Sequence, residues 1–380
     1  MDQQWVHTFF YQANKGWSVD TFPDLDSEQT LVLAFADTLF IDNPAPLADL
    51  ARAYPKAFMM GCSTSGEILG SGLSDASITV AVVPFAHTAI RQAFAPVSAV
   101  DDSFLAGQTV AQTLLAPDLR GVFVLSDGLN VNGSELVRGL RESLPQSVVV
   151  TGGLAGDGNR FERTWVLHQS QPRANYVTAV GLYGDRVHIS HGSQGGWDIF
   201  GIERRVSKSK ANVLYELDGK PALELYKSYL GNLAKELPAS ALLFPLSLRS
   251  KTTDQERLVR TILSVNEAEQ SLTFAGDIPE GHLVQLMKAN PERLIDGAAQ
   301  SAQLAKPRSQ SNLLNIAISC VGRRLVLRQR TEEELEAILG VFPKNTQQIG
   351  FYSYGEIAPL GIGRCDLHNQ TMTLTTIYEA

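Results

Sequence analysis

Cysteine is scarce in this chain of 380 residues, which contains only Cys62, Cys320 and Cys365. The three lie far apart, so neither a CxxC pair nor the ligand spacing of a zinc site occurs. An odd and sparse set of cysteines argues against a disulfide framework and fits a reducing compartment. We therefore expect neither disulfide bonds nor a structural zinc ion.

Positive charge and long apolar runs are also in short supply. There are 32 lysines and arginines against 40 aspartates and glutamates, a formal net charge of −8 at pH 7. Nucleic acids call for a basic patch and anionic membranes attract polybasic segments, so neither partner is expected. No stretch approaches the roughly 18 apolar residues of a membrane helix, and residues 1–17 do not resemble a secretory signal. These features predict a cytoplasmic protein.

The common catalytic signatures are missing as well. There is no Walker A motif, no HExxH motif and no GxSxG elbow, since residues 61–65 read GCSTS. The glycine-rich segment 152–158 lacks the GxGxxG spacing, and no acidic residue is placed as a dinucleotide site requires. These absences disfavour a nucleotide-dependent enzyme, and we expect a protein that is not an enzyme.

Length and patterning predict a two-domain α/β protein with α+β elements. The first half alternates apolar runs such as 30–36 (TLVLAFA) with amphipathic stretches such as 101–115, which is typical of a largely parallel sheet. From about residue 164, short runs separated by Gly, Asp and Asn turns indicate an antiparallel part. We place the domains at 25–205 and 206–380, expect mixed sheets with helices packed on their faces, and detect no internal repeat.

Three polar turns follow predicted strands and are the candidate ligand-binding segments. The first, 61–68 (GCSTSGEI), contains Cys62, Ser63, Thr64, Ser65, Gly66 and Glu67. Ligands of open α/β sheets bind beyond the carboxyl ends of strands, where backbone N–H groups and hydroxyls can hold a small polar molecule. The alternative is a tight turn whose hydroxyls satisfy its own backbone.

The second turn, 151–158 (TGGLAGDG), contains Gly153 among four glycines, and Asp157 is its only charge. Its glycines imply close backbone approach, although an Asx-type cap explains the segment equally well. The third turn, 350–360 (GFYSYGEIAPL), offers Tyr352, Tyr354 and Glu356 as a ligand wall. The alternative is that the two tyrosines pack on one face of a strand. This turn echoes the first, because both reach Gly-Glu-Ile after polar residues.

Two more specific chemistries would each depend on one or two residues. A hydrolase or transferase would use Cys62 or Ser63 with Glu67 as acid/base, but no histidine lies within twenty residues of Cys62. A buried, inert thiol is the simpler interpretation. His191 is the most plausible single axial ligand for a haem iron, with a hydrogen-bonded structural histidine as the alternative. His188 lies three residues away in a predicted strand, on the opposite face, so the two do not share an ion.

Taken together, these motifs resemble the FIST family (F-box and intracellular signal transduction proteins). The turns at 61–68 and 151–158 are similar to its N-terminal domain. Its C-terminal domain is similar to GWDIFG at 196–201, RRVSKSKANVLYELDGKPALELYKSYLG at 204–231, GFYSYGEIAPL at 350–360 and LHNQTMTL at 367–374. The resemblance extends over residues 30–380, which leaves no room for a kinase or cyclase module.

The resemblance implies a stand-alone sensor of small molecules in bacterial signal transduction. Some members of this layout are nitric oxide sensing (NosP-like) proteins, which bind haem and regulate a partner histidine kinase or cyclic-di-GMP enzyme. Ser353 stands where family members often carry cysteine, which weakens a thiol-based role for that turn. We expect a non-catalytic sensor whose ligand lies against the three turns. The sensor could bind haem b through His191. The alternative is a sensor of amino acids or metabolites without haem. Formation of a homo-oligomer stays open.

Overall fold

A computed structural model of the protein describes residues 5–252, 257–307, 312–360 and 364–380. The elements up to residue 194 are β1 (His7–Gln12), β2 (Gly16–Trp17), β3 (Thr30–Asp37), α1 (Ala45–Ala53), β4 (Phe58–Thr64), β5 (Glu67–Leu69), β6 (Gly72–Ser74), β7 (Ser77–Pro84), β8 (Ala89–Pro96), α2 (Ser103–Leu114), β9 (Leu119–Ser126), α3 (Gly133–Ser143), β10 (Val149–Leu154), β11 (Val166–His168), β12 (Gln171–Arg173), β13 (Tyr176–Tyr183) and β14 (Val187–Gln194).

The remaining elements are β15 (Asp198–Ile199), β16 (Arg204–Lys210), β17 (Val213–Leu217), β18 (Lys220–Pro221), α4 (Ala222–Leu230), β19 (Leu246–Arg249), β20 (Leu258–Arg260), β21 (Ile262–Asn266), β22 (Ser271–Phe274), β23 (Leu283–Lys288), α5 (Pro291–Ala305), β24 (Leu314–Cys320), α6 (Val321–Leu327), α7 (Thr331–Leu339), β25 (Gln347–Ser353), β26 (Gly355–Leu360), β27 (Arg364–His368) and β28 (Met372–Glu379). The α/β class with mixed sheets and helices on their faces is confirmed. In the described ranges, no helix is both long and apolar enough to cross a membrane.

Three sheets of the same design form the body of the molecule. From edge to edge, the first has the order β1, β7, β3, β4, β11, β12, with β2 added beside β1; the second has β8, β13, β9, β10, β26, β27; the third has β14, β28, β24, β25, β5, β6. Only the third and fourth strands of each sheet run parallel among the described pairs. The expectation of a largely parallel sheet is therefore wrong. Parallel neighbours need a crossover, and helices supply one between these two strands of each sheet.

The chain changes sheets at equivalent points, so the body is a threefold internal repeat. β4 of the first sheet leads to β5 of the third, β25 of the third to β26 of the second, and β10 of the second to β11 of the first. A glycine precedes each crossing in the same register: Gly61 opposite Ala34, Gly152 opposite Val124, and Gly350 opposite Ala317. A Cβ at each of these glycines would lie 1.8–1.9 Å from its partner's carbonyl oxygen. The expectation of no internal repeat is wrong.

The three sheets face one another across a shared apolar core. Phe35, Phe123 and Ile318 represent the three sheets in it, and the rings of Phe35 and Phe351 lie 4.7 Å apart. Burying side chains of this size contributes about 1.5–3 kcal/mol each. The outer faces are covered by α1 on the first sheet, α2 and α3 on the second, and α5 and α7 on the third. Strands covered on both faces explain apolar runs without alternation, such as 30–36.

Residues 198–288 form a separate lobe, which we call the insert. Its strands β15–β23 pair with one another, and α4 packs over a core that includes Leu214, Tyr226 and Phe274. The insert lies between β14 and α5 of the third repeat. Strands from 25–205 and from 206–380 therefore share sheets in the body, for example β14 with β28. The two domain limits themselves stay predictions.

Candidate functional site

The three polar turns meet at one end of the body. Each follows the fourth strand of its sheet, so the threefold repeat brings them together. Backbone hydrogen bonds join them directly: Ser65 N–H donates to Tyr352 O (2.7 Å), Tyr352 N–H to Gly66 O (2.9 Å), and Gly156 N–H to Ser63 O (3.0 Å). The sequence predicts these turns from their composition and their place after strands, and the fold explains why they lie side by side.

The first turn buries a carboxyl group among hydroxyls. Thr64 donates its hydroxyl to one oxygen of Glu67. Ser77 donates its N–H (3.2 Å) and its hydroxyl (2.7 Å) to the other oxygen. Burial nevertheless raises the pKa of Glu67 to about 8, because desolvation outweighs the hydrogen bonds that favour the charged form. A pKa raised this far favours the protonated form of Glu67 at neutral pH.

The third turn repeats this arrangement around Glu356. Ser353 donates its hydroxyl to one carboxyl oxygen (2.8 Å), and Thr371 donates N–H (3.1 Å) and hydroxyl (2.8 Å) to the other. Burial raises the pKa of Glu356 to about 7 in the same way. The Gly-Glu-Ile echo in the sequence thus corresponds to a repeated hydrogen-bond pattern.

The second turn places Asp157 at the equivalent position, where it acts as a cap. Its carboxylate accepts N–H bonds from Phe161 (2.9 Å), Glu162 (2.9 Å) and Arg163 (3.0 Å), and also the hydroxyl hydrogen of Tyr354. The side chain is fully buried. Asp157 thus holds its own loop through backbone N–H groups four to six residues ahead, farther along the chain than an Asx turn reaches.

Several other candidates of the first two turns lie beneath the surface. The Cys62 thiol is 0% exposed, and burial, followed by the nearby Glu67, raises its pKa well above the ordinary value. The hydroxyl of Ser63 accepts the N–H of Trp165 (3.1 Å). Gly153 lies within β10, paired with Glu356 across the sheet. Neither Cys62 nor Ser63 has the exposure of an attacking nucleophile.

The two tyrosines of the third turn do not share a face. Tyr352 packs in the core under α5 and α7, where its hydroxyl donates to Glu334 (2.5 Å). Tyr354 packs in the core of the second sheet. The expectation of one packing face is wrong because the chain changes sheets between them.

His191 belongs to none of the three turns. It is half-buried on β14, on the same face as Ile189, and burial lowers its pKa. His188 points to the opposite face and stacks on Tyr378 at 4.9 Å. Across the described ranges, no three His, Cys, Asp or Glu side chains are grouped so that they could hold a metal ion.

A cleft of about 870 Å³ opens over the turns, between the body and the insert. Thr64, Ser65 and Gly66 are the candidates from sequence that line it. The body adds Asp37, Asp75, residues 158–161, Val321, Arg324, Leu325 and Arg328, and the insert adds Glu236, Pro238, Ser240, Leu242, Leu243, Ile262 and Leu263. The cleft thus has a polar floor and an apolar wall.

Among the described residues that line the cleft are three arginines, and two of them are already paired. Arg324 forms a two-pronged ion pair with Asp75 (2.8 and 2.6 Å) and donates to Ser65 O (2.6 Å). Arg160 lies 3.9 Å from Asp37. For the exposed Arg328, the described part of the chain provides neither a hydrogen bond nor an ion pair to the guanidinium.

Most of this lining was missed at the level of sequence. Asp37 ends β3 at the same edge as the polar turns, so the rule that found the turns also applies to it. Arg324 and Arg328 carry no comparable local signal, since a basic helix end is usually a solvated face. The insert wall is apolar and reads as core from sequence alone.

Two FIST domains match the chain. The FIST N domain matches residues 30–220 and the FIST C domain residues 222–359. An uncharacterized protein of Methanocaldococcus jannaschii is 25% identical over 261 residues, which is 61% of this chain and 49% of that protein. The match thus spans about half the length of this relative. A crystal structure of cyanuric acid hydrolase from A. caulinodans covers 92% of this chain and 89% of its own, at 9% identity and a TM-score of 0.33. That score is too low to establish a common fold.

Proposed function

Because this chain belongs to the FIST family of sensory domains in signal transduction, we propose that it senses a small molecule in the cleft between body and insert. The observation that carries the proposal is that the insert meets the ends of the first and second turns in one cleft. Its volume, about 870 Å³, is in the usual range of small-molecule sites, roughly 300–1,000 Å³.

The lining suits an amino acid or a similar small carboxylate. Arginine side chains are suited to a carboxylate, acidic side chains to an ammonium group, and the apolar insert wall to a hydrocarbon portion. Two of the acids, Asp37 and Asp75, lie on the body, and Glu236 lies on the insert. A ligand that contacts both the body and the insert would favour one relative position of these two parts.

Signal output would follow from that preference. The insert contacts the body through polar bonds such as Asn132 Nδ2 to Asp277 Oδ1 (3.1 Å) and Arg260 Nη1 to Leu367 O (2.9 Å). A ligand that binds one relative position more tightly shifts the population toward it. We propose that a partner histidine kinase or cyclic-di-GMP enzyme in the cytoplasm responds to this change.

A binding role suits these residues better than catalysis. A hydrolase would need Cys62 or Ser63 at the cleft, whereas the thiol is fully buried and the Ser63 hydroxyl is engaged by Trp165 N–H. Less supports a haem-based form, because the described residues that line the cleft include no His, Cys, Met or Tyr as axial ligand. His191 is not among them.

A ligand screen with a blocked cleft tests the proposal. Thermal-shift screening of amino acids and small carboxylates should reveal a stabilising ligand, since binding to the native state raises its apparent stability. Leu263→Trp places a bulky ring on the insert wall and should abolish that shift. Leu304→Trp, on an exposed position of α5 outside the cleft, is the matched control and should retain it. Equal ligand affinity in both variants would contradict a site in this cleft.

A further inference from the structure

Two side chains of the cleft are held on left-handed backbone. Phe161 and Arg328 both have φ of +53° and both line the cleft. Such a conformation is costly for residues with bulky side chains and persists only where the surroundings enforce it. Strain of this kind concentrates at ligand sites, so both residues are candidates for direct ligand contact.

The structure enforces the position of Phe161 through a fully buried carboxylate. Asp157 accepts the N–H groups of Phe161, Glu162 and Arg163 and so fixes the turn that carries the phenyl ring. Tyr354, bonded to the same carboxylate, stacks under the ring at 4.6 Å with an angle of 13°. Backbone hydrogen bonds to Asp157 therefore fix the turn, and stacking on Tyr354 fixes the phenyl ring.

Phe161 lines the cleft and is 38% exposed, while Tyr354 stacks on one face of its ring. The exposed part of the ring is therefore on the side away from Tyr354. A fixed ring with an open face is a stacking platform for a second planar group. Apolar side chains such as Leu263 and Leu325 line the same cleft and suit the edges of such a group.

Arg328 supplies an available positive charge in the same cleft. It caps the C-terminal end of α6, where its left-handed backbone turns the chain toward α7. Arg324 is committed to Asp75, while Arg328, within the ranges the structure describes, has no ion pair or hydrogen bond to its guanidinium. An exposed guanidinium with its donors unused is suited to a carboxylate.

We propose that the ligand of this cleft is an aromatic carboxylate, with its ring stacked on Phe161 and its carboxylate paired with Arg328. The proposal rests on the proposed function, since it names the ligand class of the same cleft. It assigns Asp157 and Tyr354 as positioning residues that hold the platform. Neither of them touches the ligand.

Calorimetric titration with matched probes tests the ligand class. L-phenylalanine, L-tryptophan and 3-phenylpropionate carry both ring and carboxylate; L-leucine lacks the ring, and phenethylamine lacks the carboxylate. At least one of the first three should bind at least about tenfold more tightly than either of the last two. Equal or tighter binding of L-leucine or phenethylamine would overturn the proposal. Binding of other compounds alone, lost in Leu263→Trp, would overturn it and leave the sensor function standing.

Variants of the two contact residues test the geometry. Phe161→Leu should weaken the aromatic carboxylate about tenfold, whereas Phe161→Tyr, which keeps the ring, should bind as the unaltered protein does. Arg328→Gln should weaken it about tenfold to a hundredfold. Circular dichroism and the thermal midpoint without ligand establish that each variant is folded. If both Phe161→Leu and Arg328→Gln bind normally while folded, the assignment of these contacts is wrong.

Discussion

Glu67→Gln tests whether the carboxyl group beneath the cleft carries a proton at neutral pH. In the folded protein, burial raises the pKa of Glu67 to about 8 from an ordinary value of 4.5. Between these two pH values the folded state holds a proton that the unfolded chain has released. The free energy of unfolding must therefore fall as pH rises through this window, and the contribution is fully present only below the unfolded pKa.

The size of the effect follows from proton linkage. One proton held by the folded state alone lowers the free energy of unfolding by about 1.4 kcal/mol for each pH unit. From about pH 5.5 to about 7.5, Glu67 should thus remove about 2.5 kcal/mol, and the decline should level off near pH 8. The amide of a Gln at this position can donate to Thr64 and accept from Ser77 but does not titrate, so the variant lacks this slope.

Urea unfolding of both proteins across this pH range is the assay. The difference between their free energies of unfolding isolates Glu67, because other titrating groups are common to both. Glu356→Gln offers an internal comparison, since burial raises the pKa of Glu356 to about 7 and its slope should end about one unit earlier. A difference that stays constant with pH, or that favours the unaltered protein as pH rises, would refute the reasoning. It would mean that the hydrogen bonds from Thr64 and Ser77 outweigh desolvation.

Four further predictions follow from burial and packing. Glu334→Leu leaves the buried Arg323 without its carboxylate and should lower the free energy of unfolding, measured in urea, by about 3–5 kcal/mol. Adding Arg323→Met should restore most of that stability, and a double variant as unstable as Glu334→Leu would contradict the ion-pair argument. Gly350→Ala should cost about 2 kcal/mol or more, because its Cβ would lie 1.8 Å from a backbone oxygen, and a loss under about 0.5 kcal/mol would rule out that close approach. Cys62 should resist maleimide in the native protein and react in urea, as measured by mass spectrometry; rapid native labelling would argue against a buried thiol. Added hemin should give no sharp Soret band that shifts under nitric oxide, whereas such a band, lost in His191→Ala, would restore the haem hypothesis.

Elements with strong local signals were predictable from the sequence. The start of α5 is one of them, because Asn290 caps the helix and Pro291 begins it, and both signals are visible in the sequence. The strand expected at 30–36 is β3, one residue longer. In both, the deciding information lies within about ten neighbouring residues, so tertiary structure had little to add.

The repeat is hard to detect from the sequence because its signal is short and its second copy diverges. The first and third copies share Gly-Glu-Ile, whereas the second has Gly156 and Asp157, one residue closer to the preceding strand glycine. Equivalence of the three copies becomes evident from strand order, which depends on pairings between distant segments. The parallel or antiparallel sense of a pair is equally non-local, since an apolar run fits either.

The sequence by itself determined the elements, the α/β class, the family resemblance and the three polar turns. Tertiary structure decided that the turns converge, that most of their side chains are buried partners of one another, and that a cleft opens over the remainder. The physical reason is distance along the chain: Arg324 and Asp75 are separated by 249 positions, and Tyr354 and Asp157 by 197. Contacts of this kind arise from burial of three sheets against one another, and no local pattern encodes which partners that burial brings together.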